Sequence, residues 1–177
     1  MRGALPQERN LSGAIESVIL VGIGSNLGNS VEICRAAVEI LDAHEDVVVV
    51  RVSRWYQTAP VPISDQPWYV NGAAALETKL SANQLLKVLH SIEADAGRVR
   101  RERNEARVLD LDLLAYHNEV SLSGDLLLPH PRIAERAFVL HPLMDIAPSW
   151  RHPVTGKTAT AMLKELPTGQ EIEVLAL

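Results

Sequence analysis

The chain has 177 residues but only one cysteine, one phenylalanine, three tyrosines and three tryptophans, and it has no long apolar run. The single cysteine, Cys34, excludes an intramolecular disulfide and a cysteine-based zinc cluster, and it suits a reducing compartment, so the expected location is the cytoplasm. Cys34 falls on the apolar face of a predicted helix, which makes it a buried thiol and not a nucleophile. No apolar stretch approaches the roughly 20 residues of a membrane span. Residues 1–16 lack the hydrophobic core of a signal peptide. A membrane partner is therefore not expected. Positive charge is also in deficit: the net charge is −5 and the pI near 5.7, which argues against a general nucleic-acid binder.

The rest of the composition, 47% hydrophobic and 22% charged, is that of an ordinary globular chain long enough to bury one sizeable core. Residues 1–16 are expected to be a flexible extension, and residues 17–177 a single domain working as a monomer.

Hydrophobic patterning orders the elements. Residues 18–24 form a short β-branched strand that ends in the loop Gly24, Ser25, Asn26, Leu27, Gly28, Asn29. A helix follows with Ser30 as its cap and Val31, Cys34, Val38 and Leu41 as its inward stripe. Residues 47–57 read as a strand, and residues 58–67 as a proline-rich loop too long for a hairpin turn. Residues 68–78 form another strand, whose small residues at 72–75 require a helix or backbone packed closely over it. Ser81 and Gln84 make a capping box for a helix carrying Leu85, Leu89 and Ile92 and ending near Gly97. Beyond the next strand, residues 120–122 suggest a short partner strand, residues 134–141 a helix before Pro142, residues 159–166 a helix stopped by Pro167, and residues 171–175 an edge strand. The order strand, helix, strand, strand, helix, strand predicts an α+β fold. It is that of a ferredoxin-like sandwich, a mainly antiparallel sheet with helices on one face.

Two stretches carry chemistry. Residues 107–114 alternate so that Asp110 and Asp112 share one strand face, opposite Leu109, Leu111 and Leu113. An exposed strand face would alternate as well. Aspartate is a poor strand former, however, and like charges side by side repel, so a cation is expected between them. Both carboxylates could reach one divalent ion or bridge two. Just before them, residues 98–107 form an arginine-rich run without apolar periodicity, read as a mobile loop. With His130, Arg132 and Arg136 as further cations, this set suits a polyphosphate bound through magnesium. Trp68 and Tyr69, beside the proline-rich loop, offer a place to stack a flat ring. Two nucleotide motifs fail: Leu27 stands where the dinucleotide fingerprint needs glycine, and Arg151 stands where a P-loop ending in Gly156, Lys157 and Thr158 needs its first glycine.

Gly24 to Gly28, Tyr56-x-Thr58-x-Pro60, Gln66-Pro67-x-Tyr69-x-Asn71, Gly97-Arg98-x-Arg100, Arg107-x-x-Asp110-x-Asp112 and Pro129-His130-Pro131-Arg132 with Arg136-x-Phe138 occur in one order. That series resembles 6-hydroxymethyl-7,8-dihydropterin pyrophosphokinase from about residue 18 to residue 148. The resemblance implies transfer of the β,γ-diphosphate of ATP onto the pterin hydroxymethyl group, with AMP released, in folate biosynthesis. It assigns two magnesium ions to Asp110 and Asp112, and closure over the phosphates to Arg98 and Arg107. Glu93, Arg100, Leu113, His130, Arg132 and Arg136 join the ATP contacts. The pterin is expected between Tyr69 and Phe138, with its ring edge read by Asn71 and by the backbone of Thr58, Ala59, Pro60 and Val61. Two departures concern loop closure and one nucleotide contact: Asn104, Glu105 and Ala106 replace a Trp-Gly-Pro seen in some members, and Pro131 replaces a tyrosine. Two rival readings share the topology. A two-metal nucleotidyl transferase or cyclase would also need the paired aspartates, whereas a non-catalytic ligand-binding module would not.

Overall fold

The computed structural model describes residues 18–97, 106–122 and 124–176. The expected extension at residues 1–16, together with Arg98, Arg100 and the rest of the basic run up to residue 105, lies outside them. The elements are β1 (Ile19–Ser25), α1 (Ser30–Asp42), β2 (Val47–Val52), β3 (Tyr56–Thr58), β4 (Tyr69–Thr78), α2 (Ala82–Asp95), β5 (Asp110–Tyr116), a 3-10 turn (Ile133–Glu135), α3 (Ala137–Ile146), α4 (Ala159–Glu165) and β6 (Ile172–Val174).

The six strands form one sheet in the order β5-β1-β4-β3-β6, with β2 also pairing to β4, and every pairing is antiparallel. This is the ferredoxin-like arrangement expected from the order of elements. Alternation along β1 splits its apolar side chains between two cores. Ile19, Val21 and Ile23 pack with Cys34 and Leu41 of α1 and with Leu85, Leu89 and Ile92 of α2. Leu20 points the other way, to Leu140, Leu143 and Ile146 of α3 and Met162 of α4. Helices therefore cover both faces of the sheet, not one. The Ser81–Gln84 capping box starts α2 as expected. Burial pushes the Cys34 thiol up to about 12, so it stays protonated and inert.

Four local expectations need correction. The strand over residues 47–57 is broken at Ser53, Arg54 and Trp55. The Trp55 ring turns in over Gly72, where an added Cβ would sit 2.6 Å from ring carbons. Part of the small-residue stretch thus makes room for an indole, while Ala73 and Ala75 on the opposite face accept α3. Ser30 does not cap α1. Asn29 holds the cap position with no side-chain cap bond, and Ser30 is the first helical residue, in hydroxyl contact with Ser25 at 3.1 Å. Ala37 joins Cys34 and Leu41 as the fully buried part of the inward stripe, with Val31 and Val38 partly buried against the same core as expected. Pro142 does not end its helix: α3 begins only at Ala137 and continues to Ile146, held by burial of Pro142, Leu143 and Ile146 in the second core. Residues 120–122 form no strand, only an isolated bridge between Ser121 and Leu128. No helix among the described residues is long and apolar enough to cross a membrane.

Candidate active site

Register builds the site. Asp110 pairs with Gly24 and Asp112 with Gly22 across β5 and β1, and Gly24 also faces Asn71 of β4. A Cβ at Gly24 would lie 2.8 Å from the Asn71 amide oxygen, so glycine here lets the amide lie flat across the sheet. Asn71 Nδ2 donates to Thr58 Oγ1 at 2.7 Å, tying β4 to β3. Over this floor, Phe138 of α3 closes a slot of about 30 Å³ lined by Gly22, Gly24, Asn71, Gly72, Asp110 and Asp112.

The same two aspartates also line a wider cavity of about 320 Å³. It wraps round the outer edge of β5, between α2 and residues 125–131, and includes His90, Glu93, Arg107, Leu113 and His130. The buried Glu93 carboxylate accepts from the Leu111 N–H at 2.8 Å, which satisfies that outer-edge donor between the two aspartates. The His130 N–H donates to the Leu114 carbonyl at 2.8 Å further along.

Charge at the junction is unbalanced. Arg107 Nη1 lies 2.7 Å from Asp110 Oδ2, and Arg136 Nη1 is 3.9 Å from Asp112 Oδ2. Even so, burial first and the Asp110 charge second push the Asp112 carboxyl up to about 7, with Glu93 adding to the rise and Arg136 and Arg107 opposing it. Magnesium fits this chemistry: the donors are all oxygen, and a divalent cation would relieve the crowding of carboxylates that adds to the effect of burial on Asp112. Among the described residues no group of three or more His, Cys, Asp or Glu side chains is arranged to hold a metal ion. Magnesium takes one or two carboxylates and leaves the rest of its shell to water and phosphate, so the pair suffices.

The other expected residues are dispersed. The Arg136 guanidinium carbon stands 5.4 Å from the Phe138 ring centroid, although Arg136 lines neither cavity. His130 is not the cation expected from the sequence: burial, and then the charge of Arg136, push it down to about 4. Arg132 turns away to Glu135 at 3.3 Å and lines neither cavity. Tyr69 shares the Asn71 face of β4 and donates from its hydroxyl to Gln66 at 3.2 Å, but it also lines neither cavity. Ala59, Pro60 and Val61 lie outside both as well, and the Ala59 N–H is already donated to the Glu171 carbonyl at 3.2 Å.

The sequence marks Asn26 only as part of a loop. It is buried, its Oδ1 accepts from the Arg107 N–H at 2.7 Å, and its own N–H donates to the Arg107 carbonyl at 3.0 Å. Its Nδ2 donates to the Pro67 carbonyl at 3.1 Å. It thus fixes the entry to β5 against the loop before β4. His90 stands three residues before Glu93 on α2, so helical spacing from Glu93 would have found it. Asp125 lines the wide cavity with no signal in the sequence.

The 7,8-dihydro-6-hydroxymethylpterin-pyrophosphokinase family model matches residues 20–148. The chain belongs to that family. The 2-amino-4-hydroxy-6-hydroxymethyldihydropteridine pyrophosphokinase of Methylorubrum extorquens is 43% identical over 152 residues, covering 85% of this chain and 95% of that protein. Its counterpart in Pseudomonas aeruginosa is 41% identical over 135 residues, covering 76% and 83%. The folic acid synthesis protein fol1 of Pneumocystis carinii is 35% identical over 148 residues, and this chain spans 20% of its length. The wild-type HPPK-DHPS crystal structure from Plasmodium falciparum shares the fold, with a TM-score of 0.64 at 14% identity over 84% of this chain and 43% of that one. As a member of the pyrophosphokinase family, the chain is a pyrophosphoryl transferase of folate biosynthesis, and nothing in these comparisons favours a nucleotidyl transferase, a cyclase or a non-catalytic module.

Proposed function

We propose that this pyrophosphokinase binds ATP in the wide cavity and 6-hydroxymethyl-7,8-dihydropterin on the Phe138 side, and transfers the β,γ-diphosphate between them across Asp110 and Asp112. One observation carries the reading: the two aspartates are shared by both cavities. The pterin hydroxymethyl oxygen attacks the β-phosphorus, the bond from that phosphorus to the oxygen bridging to the α-phosphate breaks, and AMP leaves. The hydroxyl proton is released to solvent, which balances the transfer. Two magnesium ions, held by Asp110 and Asp112, would screen the phosphate charge and act as Lewis acids when bound.

The chain supplies positioning. Arg107 contributes a fixed cation beside Asp110, and Arg136 one beside Asp112. Arg98 and Arg100 are further phosphate contacts in this reading, and Arg132 joins them only by leaving Glu135. Glu93 anchors the strand that carries both metal ligands, Leu113 packs against the nucleotide, and neutral His130 offers a hydrogen-bonding ring, not a charge. On the other side, Asn71 and Thr58 read the ring edge and Phe138 covers one ring face, with Tyr69 recruited to the second. The slot of about 30 Å³ has room for about one water, so pterin entry displaces Phe138 or residues 59–68. The enzyme works as a monomer in the cytoplasm, which suits its lone buried thiol.

The test is product analysis with ATP and magnesium, with and without the dihydropterin. AMP and pterin diphosphate in equal amounts, formed only when the pterin is present, are expected. ADP as product, or AMP formed equally well without pterin, would overturn the reading.

A further inference from the structure

The family match stops at residue 148, yet the segment beyond it returns to the site. β6 pairs with β3, placing Ile172 opposite Thr58, and the preceding Glu171 carbonyl accepts the Ala59 N–H. One residue earlier, Gln170 reaches the start of α3. Its Oε1 accepts from the Ala137 N–H at 2.8 Å, and its Nε2 donates to the Glu135 carbonyl at 2.8 Å.

Those two backbone groups flank Arg136. The first N–H groups of a helix have no partner within it, and a side chain at the cap position normally accepts from one of them. Arg136 occupies the cap position of α3 and makes no such bond. Gln170, 33 residues beyond Ala137, supplies the acceptor instead, and its second bond fixes the residue on the other side of Arg136. The residues held in this way are the ones that meet the site: Arg136 faces Asp112, and Phe138 closes the slot.

We propose that Gln170 is a positioning residue for the transfer: it clamps the start of α3 so that Arg136 and Phe138 face the acceptor side of the carboxylate pair. Residues 170–172 thereby join α3, which closes the slot, to the end of β3 where the Thr58 hydroxyl accepts from Asn71 of the slot lining. The inference rests on the proposed assignment of the slot to the pterin. A brace that only stabilises the fold would lower the melting temperature without changing selectivity between the two substrates.

The test compares Gln170→Met, which keeps the length and loses both bonds, with Gln170→Glu, which keeps an acceptor for the Ala137 N–H at the helix N-terminus and loses the donor. Leu163→Ala serves as a stability control, since Leu163 packs on the second core and lines neither cavity. In full-length protein, Gln170→Met should lower kcat/KM for the pterin about tenfold, within the range produced by a misplacement of about 1 Å. The dissociation constant for a non-hydrolysable ATP analogue should change less than about threefold, and Gln170→Glu should recover part of the loss. An unchanged kcat/KM in Gln170→Met, or an equal loss in Leu163→Ala at matched melting temperature, would overturn the inference. Should Gln170→Met fail to fold, wild-type pterin kinetics in Gln170→Glu would overturn it as well. Absence of AMP formation by the wild type would instead refute the proposed reaction.

Discussion

The two sides of the Asp110 and Asp112 pair are built by opposite means. The wide cavity is bounded by charged and hydrogen-bonding side chains gathered from α2, the start of β5 and residues 125–131, around the outer edge of a strand. The slot is bounded by three glycines, an amide and a phenyl ring, so its shape is set by backbone and by what side chains leave empty. At about 320 Å³ the first already has the size of a small-molecule site, and at about 30 Å³ the second does not. An open polar cavity has room for a nucleotide once divalent ions offset its carboxylates, whereas a closed slot must be opened by its ligand. Substitutions should therefore separate the two sides, with the shared aspartates affecting both.

The largest effect is expected at the junction. Asp112→Asn should lower AMP formation by about 10³-fold, comparable to removing a group aimed at transition-state charge. Its effect on stability should run the other way. The Asp112 carboxyl is raised from 3.8 to about 7 in the fold, so between those values the native state keeps a proton that the unfolded chain has released. Metal-free wild type should accordingly lose stability as pH rises from about 4 to 7, and the asparagine variant should escape that loss. A melting temperature at pH 8 below that of wild type would make Asp112 a packing residue.

Next in size, Arg107→Ala should lower single-turnover transfer about 10²-fold while the affinity for an ATP analogue falls less. The bonds to Asn26 use the Arg107 backbone and survive the substitution, so what is lost is the guanidinium contact with Asp110 and its charge near Asp112. Equal losses in both measurements would mean that Arg107 serves ground-state binding alone. Phe138→Ala sharpens the comparison from the slot side. Pterin affinity should fall about tenfold more than ATP-analogue affinity, the loss of one aromatic face, and equal losses would argue for a packing role.

The smallest effect concerns His130 and depends on pH. Its folded value of about 4 lies below the ordinary 6.5, so the unfolded chain takes up a proton first as pH falls. The stability this contributes is complete above about 6.5 and is lost on the way down to 4. Wild type should then lose melting temperature faster than His130→Asn between pH 6.5 and 4.5. Parallel curves would mean a charged, solvated ring.

What the sequence made legible was local. Alternation placed Asp110 and Asp112 on one face, their mutual repulsion pointed to a cation, and the order of strands and helices matched the sheet. What it hid depends on contacts between distant residues. Asn26 and Arg107 are 81 residues apart, and Gln170 and Ala137 are 33 apart. Pro142 inside α3 is tolerated because the second core holds the helix, a tertiary effect no propensity reports. The neutrality of His130 follows from its burial near Arg136, and the kink at Trp55 follows from a glycine on the neighbouring strand.

The central claim is that Asp110 and Asp112 hold divalent ions where the two sides meet. It is tested most directly by titrating manganese into protein saturated with a non-hydrolysable ATP analogue, with the free ion followed by electron paramagnetic resonance. Two ions per chain are expected for wild type, with at least one of them bound more than about tenfold more weakly in Asp110→Asn and in Asp112→Asn. Identical binding in all three proteins would assign the metal to the nucleotide alone and contradict the claim.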